Sequence, residues 1–317
     1  MGDYMKRYIV KRMLSFIPVL IGVSILSFLL IAFSGKDPAE VIARRGDLNA
    51  TPELIEQVRI ELELDGSLPE RYLHWMSGFA NGDFGISLTS FRPISEDIAE
   101  HFPVTARLVV LSLLWTAVLS VPVSLLCARF KNGVFDHLTR GVTIFGMCIP
   151  TFWLGFMLLI ILAVNLKWFT VLPEPGIKGY ILPSLALSIP TICGIVRLFR
   201  SSLLSELSCD YVRYAKARGL SPSRILICHV FRNALPPIVT VFCQYLGTLI
   251  AGSAVMEAVF SIEGIGTYLI SSVLAADSTS TATCIAIIAA VFITANFIGD
   301  ICNRLLCPWM VNEHNDN

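Results

Sequence analysis

From Gly141 to Leu166 the chain reads GVTIFGMCIPTFWLGFMLLIILAVNL, with no charged side chain along its length. Crossing the hydrocarbon core of a bilayer takes about 20 apolar residues, so this stretch reads as a membrane span. Five further uncharged runs are of comparable length: Met13 to Phe33, Leu108 to Ala128, Gly179 to Val196, Ala234 to Met256 and Ser278 to Gly299. Backbone in lipid must satisfy its own hydrogen bonds, which leaves helices as the reading: an all-α, polytopic membrane protein with six transmembrane helices. A seventh run, Gly264 to Ala276, is too short to cross and is expected to be re-entrant or interfacial. Composition agrees. Of 317 residues, 55% are hydrophobic and 15% charged, with a mean hydropathy of +0.70, against about 45–50% and 25% in soluble domains.

Net charge is zero, from 24 Lys and Arg against 24 Asp and Glu, so nothing global points to nucleic acid. The useful asymmetry is local. Lys6, Arg7, Lys11 and Arg12 precede the first span, Arg129, Lys131 and Arg140 separate the second from the third, and seven Lys/Arg fall between Arg197 and Arg232. The opposite short loops hold only Lys167 and Lys178. The positive-inside rule therefore places both termini and the basic loops in the cytoplasm. Met1 to Phe33 is then an N-terminus and first span, Ser34 to Pro103 a long external segment, and 104–317 the remaining membrane core. Acidic side chains outnumber basic ones in the external segment, 13 against 6. The basic head followed by an apolar run resembles a signal peptide, but Met13 to Phe33 is longer than a usual h-region, so an uncleaved helix is expected.

None of the nine cysteines (Cys127, Cys148, Cys193, Cys209, Cys228, Cys243, Cys284, Cys302, Cys307) falls in the external segment. No structural disulfide and no built-in metal site is expected from their spacing. In the external segment, Thr51-Pro52 reads as N-cap and first helical residue, followed by Leu54, Ile55, Val58 and Leu62 at helical spacing. An amphipathic helix packed on the membrane-facing body is the expectation. Gly82-Asp83-Phe84-Gly85-Ile86-Ser87 has turn chemistry, and Phe91-Arg92-Pro93-Ile94 leads into a short helical pattern ending near His101.

Prolines 18, 122, 150, 183 and 190 sit inside spans, and kinked helices suit a protein that opens and closes. Gly247, Ala251 and Gly252 give a small-residue spacing that allows close helix approach, within the chain or to another subunit. Glu257 and Asp300, at the ends of the fifth and sixth spans, are the few charges near membrane depth. The five histidines are scattered, and no paired acid and base suggests a membrane enzyme.

The cytoplasmic stretch Arg197 to Pro237 carries most information. Leu203, Leu204, Leu207, Tyr211, Tyr214 and Ala215 recur at three- and four-residue spacing, with Glu206, Asp210 and Arg213 on another face, predicting an amphipathic helix outside the membrane. Gly219 is placed to end it, and Ser221-Pro222 to start a second helix that finishes at Leu235-Pro236-Pro237. Such a helix, turn and helix forms a knob for a cytoplasmic partner.

The run Asp210-Tyr211-Val212-Arg213-Tyr214-Ala215-Lys216-Ala217-Arg218-Gly219-Leu220, with His229-Val230-Phe231-Arg232-Asn233-Ala234-Leu235 after it, resembles the coupling loop of ABC importer permeases of the dipeptide/oligopeptide/nickel type. The resemblance extends to Gly82 to Ser87, to Ile149-Pro150-Thr151-Phe152-Trp153-Leu154-Gly155, and to Glu257 to Gly266, nearly the whole chain. It implies a type I ABC importer permease that pairs with a second homologous permease, two cytoplasmic ATPase subunits that bind the ATP, and an external substrate-binding protein. Membrane lipid surrounds it, and this chain holds no cofactor. Ala215 and Gly219 correspond to an alanine and the glycine of the E-A-A-x-x-x-G signature, whose Glu and first Ala positions hold Arg213 and Tyr214. The implied coupling residues are Asp210, Tyr211, Arg213, Ala215, Ala217, Gly219, Arg232 and Asn233. Met147, Cys148 and Glu257 are the candidates for lining the pathway. The C-terminal Leu306-Cys307-Pro308-Trp309-Met310 departs from the family's usual ending and receives no role.

The run Gly85 to Ile94 looks most like the B-type nickel permeases, so nickel or a nickel chelate is the expected cargo. The alternatives are a dipeptide or oligopeptide permease, and an ATP-independent channel or carrier. The sequence has no glycine-rich phosphate loop of its own, so the free energy must come from a partner.

Overall fold

The computed structural model describes residues 2–33, 35, 37–46, 50–61, 65–275 and 277–306. Among them the regular structure is helical, the one β-type contact being an isolated bridge between Ile86 and Pro93. The chain divides into two compact units, Met1–Val104 with Glu263–Ile293, and Thr105–Ile262 with Thr294–Asn317.

The first unit opens with α1 (Gly2–Ala32), whose 31 residues give about 46 Å at 1.5 Å per residue. It continues through α2 (Pro38–Gly46), α3 (Pro52–Glu61) and α4 (Leu68–Ala80) into the start of α5 (Ile94–Arg129). The Thr51 hydroxyl accepts the Leu54 N–H at 3.4 Å, so α3 begins where the Thr-Pro pair predicts. It buries no residue, however, and leans on α2, with Arg59 paired to Asp37. On its apolar face Ile55 and Val58 are half-buried, while Ile60 is exposed. Leu62 lies outside the described residues.

Helix α4 has an N-terminal signal of its own. The Ser67 N–H and hydroxyl both donate to Glu70 Oε2, at 2.9 and 2.8 Å, and hold that carboxyl below the usual carboxylate range. Its apolar face is aromatic: Tyr72 and Trp75 pack on Phe28 of α1, and Trp75, Phe79 and Phe84 follow in sequence at centroid distances of 5.5 and 5.0 Å. The short helix expected after Pro93 is not separate. It is the first part of α5, 36 residues long, which runs on through the second uncharged run. The short apolar run forms α12 (Ile265–Leu274), whose ten residues reach about 15 Å and cannot cross.

The second unit holds most of α5, then α6 (Val134–Cys148), α7 (Thr151–Leu158) continued by a π-helical stretch Leu159–Asn165, α8 (Lys178–Glu206), α9 (Asp210–Ala217), α10 (Pro222–Ile225), a second π-helical stretch Leu226–Val230, α11 (Phe231–Val259) and the end of α13 (Ser278–Leu306). Among the described residues, four helical stretches are long and apolar enough to cross a membrane: Ile94–Arg129, Lys178–Glu206, Pro222–Val259 and Ser278–Cys302. The Gly141 to Leu166 run falls in a pair of helices, Val134–Cys148 and Thr151–Asn165, bent by 104°, which make either one broken span or a re-entrant loop. The cause is local: Pro150 gives no N–H to continue α6, and Ile149 before it takes an extended conformation, φ −78 and ψ 128.

Hydroxyl groups stitch the spans. Ser112 donates to the Leu108 carbonyl at 2.8 Å and to that of Ser184 in α8 at 3.1 Å, and Trp115 Nε1 donates to Ser184 Oγ at 3.2 Å. Of the small-residue set in α11, Gly252 faces Leu187 of α8, so this part of the spacing serves packing within the chain.

Candidate functional site

The 197–237 stretch folds as a helix, turn and helix, with two differences from its sequence pattern. Leu203 to Ala215 is not one helix: α8 ends at Glu206, and Cys209 in extended conformation (φ −69, ψ 153) precedes α9. The break frees α9 to turn, and it sends Tyr214 outward at 73% exposure although its spacing puts it with the leucines. Nor does the second helix stop at Pro236-Pro237. Residues 222–259 form one helical rod of 38 residues, with both prolines inside it.

Gly219 has φ +79, and its N–H bonds to the Lys216 carbonyl at 2.9 Å while the Leu220 N–H reaches back to Ala215 at 3.2 Å. This pair of bonds is the left-handed helix stop in which a Cβ carries a steric penalty. Ser221 then caps α10, its hydroxyl accepting the Arg224 N–H at 3.4 Å.

Beneath this surface a core forms from Phe199, Leu203, Val212, Ile225, Leu226 and Val230, with Tyr211, Ala215 and Leu220 packed against it. Tyr211 is its polar clasp. Its hydroxyl donates to Glu206 Oε2 at 2.7 Å, and Asn233 bonds to the same phenol, tying α9 to the end of α8 and the start of α11. Burial, then the Glu206 carboxylate, pushes the Tyr211 phenol up to about 12, so it remains a donor at physiological pH. Tyr211→Phe removes both bonds. Losing such a half-buried pair of bonds costs about 1.4 kcal/mol, and amide exchange in α9, measured by hydrogen–deuterium exchange, is expected to quicken about tenfold.

Of the other residues expected to couple to the ATPase, Asp210 and Arg213 pair with each other at 3.2 Å on the surface, and Ala217, Gly219, Arg232 and Asn233 are exposed while Ala215 is half-buried. The stretch thus offers an outward face of Arg213, Tyr214, Lys216, Arg218 and Arg224 on a rigid base. The pathway candidates separate. Met147 and Cys148 are exposed at the end of α6, whereas Glu257 is fully buried and accepts the Thr105 hydroxyl at 2.5 Å. Asp300 is half-buried.

Two polar constellations escaped the sequence. Asp136, fully buried, takes a two-pronged bond from Arg200, Nε to Oδ1 at 2.5 Å and Nη2 to Oδ2 at 2.7 Å. In the first unit, Asp277 caps α13 by accepting the Ser280 N–H at 3.0 Å, and also accepts the Ser87 hydroxyl at 2.6 Å and the Thr89 N–H at 3.2 Å. Beside it, Tyr268 of α12 donates to Asp97 at 2.9 Å, stacks on His101 and lies 3.0 Å from Ser280. The Gly82 to Ser90 turn is therefore the plug of a buried socket. A sequence signal existed for Asp277, an acidic residue directly before a helix of serines and threonines; none existed for the Asp136 pairing, 64 residues apart.

Residues 120–312 match the family described as "Binding-protein-dependent transport system inner membrane component", and residues 5–109 match "Binding-prot-dependent transport system membrane comp, N-term". The chain is 34% identical over 304 residues to the glutathione transport system permease protein GsiC of Escherichia coli (strain K12), across 96% of this chain and 98% of that protein. The same identity and coverage hold for GsiC of Shigella flexneri serotype 5b (strain 8401). Among solved structures the fold is similar to the MetNI methionine ABC transporter in inward-facing conformations, with a TM-score of 0.56 and 18% identity over 66% of this chain and 95% of that one. At that identity the likeness is one of fold.

Proposed function

The chain belongs to the binding-protein-dependent transport system inner membrane components, the permeases of ABC importers, and from that premise we propose that its cargo is a small peptide. It is a multi-pass inner membrane subunit without an ATPase site of its own, working with separate ATPase and substrate-binding partners. The observation that supports a peptide is the 34% identity, along almost the entire chain, to a permease named for glutathione, a tripeptide. The residues behind the nickel resemblance point less to cargo, because Ser87, Thr89 and Ser90 of the Gly85 to Ile94 run are engaged in anchoring the turn to Asp277 and Asp97. Among the described residues no group of three or more His, Cys, Asp or Glu comes together.

The mechanism that fits is alternating access driven from the cytoplasm. The termini and the α9–α10 knob face the cytoplasm, the ATPase pair grips the exposed face around Tyr214, and a second homologous permease completes the pathway. Binding energy shifts the balance of states only through unequal affinity for them, so ATP acts by favouring one arrangement of the knob. The test is uptake into cells carrying the whole transporter, with and without this chain, using labelled glutathione, a labelled dipeptide and nickel. Loss of peptide uptake, competed by unlabelled peptides and untouched by nickel chelates, is the expected result. Intact peptide uptake with nickel uptake lost would return the cargo to nickel.

A further inference from the structure

Helix α6 is fastened to α8 twice. Near its start Asp136, fully buried, receives both prongs of the Arg200 guanidinium and also the Asn132 N–H at 3.0 Å. Near its end Gly146 lies so close to Cys193 that a Cβ would collide with the sulfur. Beyond the 104° elbow at Ile149-Pro150, α7 packs on both α8 and α11: a Cβ on Gly155 would stand within 3.4 Å of the Met256, Val259 and Phe260 side chains where α11 ends, beside the Glu257–Thr105 bond. The elbow thus joins a helix packed on α8 to a helix shared between α8 and α11. Arg200 lies six residues before Glu206, to which Tyr211 clasps the cytoplasmic helix α9.

We propose that Asp136 and Arg200 are positioning residues that make α6 follow α8, so that displacement of α9 relative to α11 is delivered to the elbow and moves Met147 and Cys148. The proposal rests on the reading above that the ATPase acts on the α9–α10 knob. A bidentate guanidinium–carboxylate pair suits this task because it resists both sliding and rotation, whereas apolar packing alone permits side chains to slip. The elbow supplies the matching compliance, since Pro150 leaves α6 and α7 without a continuous hydrogen-bond ladder.

The experiment uses the complete transporter in proteoliposomes and reads peptide imported per ATP hydrolysed, together with the labelling rate of Cys148 by a thiol reagent, mapped by mass spectrometry, with and without a non-hydrolysable ATP analogue. In the unaltered complex ATP changes the Cys148 rate. Asp136→Asn is expected to keep ATP hydrolysis within twofold, lower import per ATP at least tenfold, and abolish the ATP-dependent change at Cys148, with Asp136→Glu restoring most of both. The double variant Asp136→Asn/Arg200→Gln leaves no unpaired charge and assembles even where the single one does not; it is expected to be equally uncoupled. Import per ATP at the original ratio in the double variant overturns the proposal, as does a proportional fall of import and hydrolysis with the Cys148 response retained. Tyr214→Ala separates the underlying reading. If the knob is not the ATPase contact, that variant leaves ATPase copurification and import unchanged whatever Asp136 does.

Discussion

Gly219→Val is expected to abolish ATP-driven uptake while the chain still reaches the membrane at its normal level. The argument is conformational, not one of space: nothing lies within 4 Å of where a Cβ would stand, but the residue sits at φ +79. A β-branched residue in the left-handed region is strained by at least about 1–2 kcal/mol, and the cheapest relief is to undo the two bonds that end α9. Leu220 then leaves Ala215, and the base on which Tyr214 and the surrounding cations stand loses its shape. Uptake and membrane-fraction abundance measured side by side check this, with Gly219→Ala expected to retain partial uptake. Normal uptake by the valine variant would remove the turn from the coupling mechanism.

The second large effect is expected at Asp277→Ala. Ser87, Thr89 and Ser280 all donate to this carboxylate in a buried setting, and the substitution leaves their donors without an acceptor and α13 without its cap. Each orphaned buried donor costs about 1–3 kcal/mol and a lost cap about 1 kcal/mol, so a loss of about 3 kcal/mol or more is expected. Limited proteolysis should then cut the Gly82 to Ser90 turn faster than in the unaltered protein. Asp277→Asn, able to accept through its carbonyl, should lie between the two. Resistance of the alanine variant to proteolysis would show that the turn is held by something other than this socket.

These two sites were unequally visible in the sequence. Gly219 and Ser221-Pro222 were legible because helix ends are written in local chemistry: a left-handed stop needs glycine, and a first turn accepts proline. The membrane runs were legible because a bilayer imposes a minimum length on uncharged sequence. The Asp277 socket was not, since its partners lie 190 residues away in the chain and only packing brings them together. Tyr214 was misjudged for a related reason. Its spacing continues the apolar face of α8, but the break at Leu207 to Cys209 resets the helical phase, and periodicity cannot register a change of axis. Helix α4 was overlooked although Ser67 and Glu70 form a capping box, because its buried face is aromatic and irregular, not an aliphatic stripe. The bend at Pro150 was foreseen as a kink, but nothing in the composition gives the size of an angle.

The unbroken rod from Pro222 to Val259 sets a rule of phase for this protein. Its 38 residues span about 57 Å at 1.5 Å per residue, well beyond a hydrocarbon core of about 30 Å. One piece of backbone therefore carries the α9–α10 knob at one end and buried Glu257 at the other. Each residue along such a rod advances the direction of everything beyond it by about 100°. A single insertion or deletion between Arg224 and Met256 would leave the composition untouched yet swing Glu257 away from Thr105, unless a π turn absorbed it, and the π-helical Leu226–Val230 already occupies one such place. Length variation should thus accumulate in the loops around α2 and α3 and be purged from this rod, where residue count and angular bearing are the same quantity.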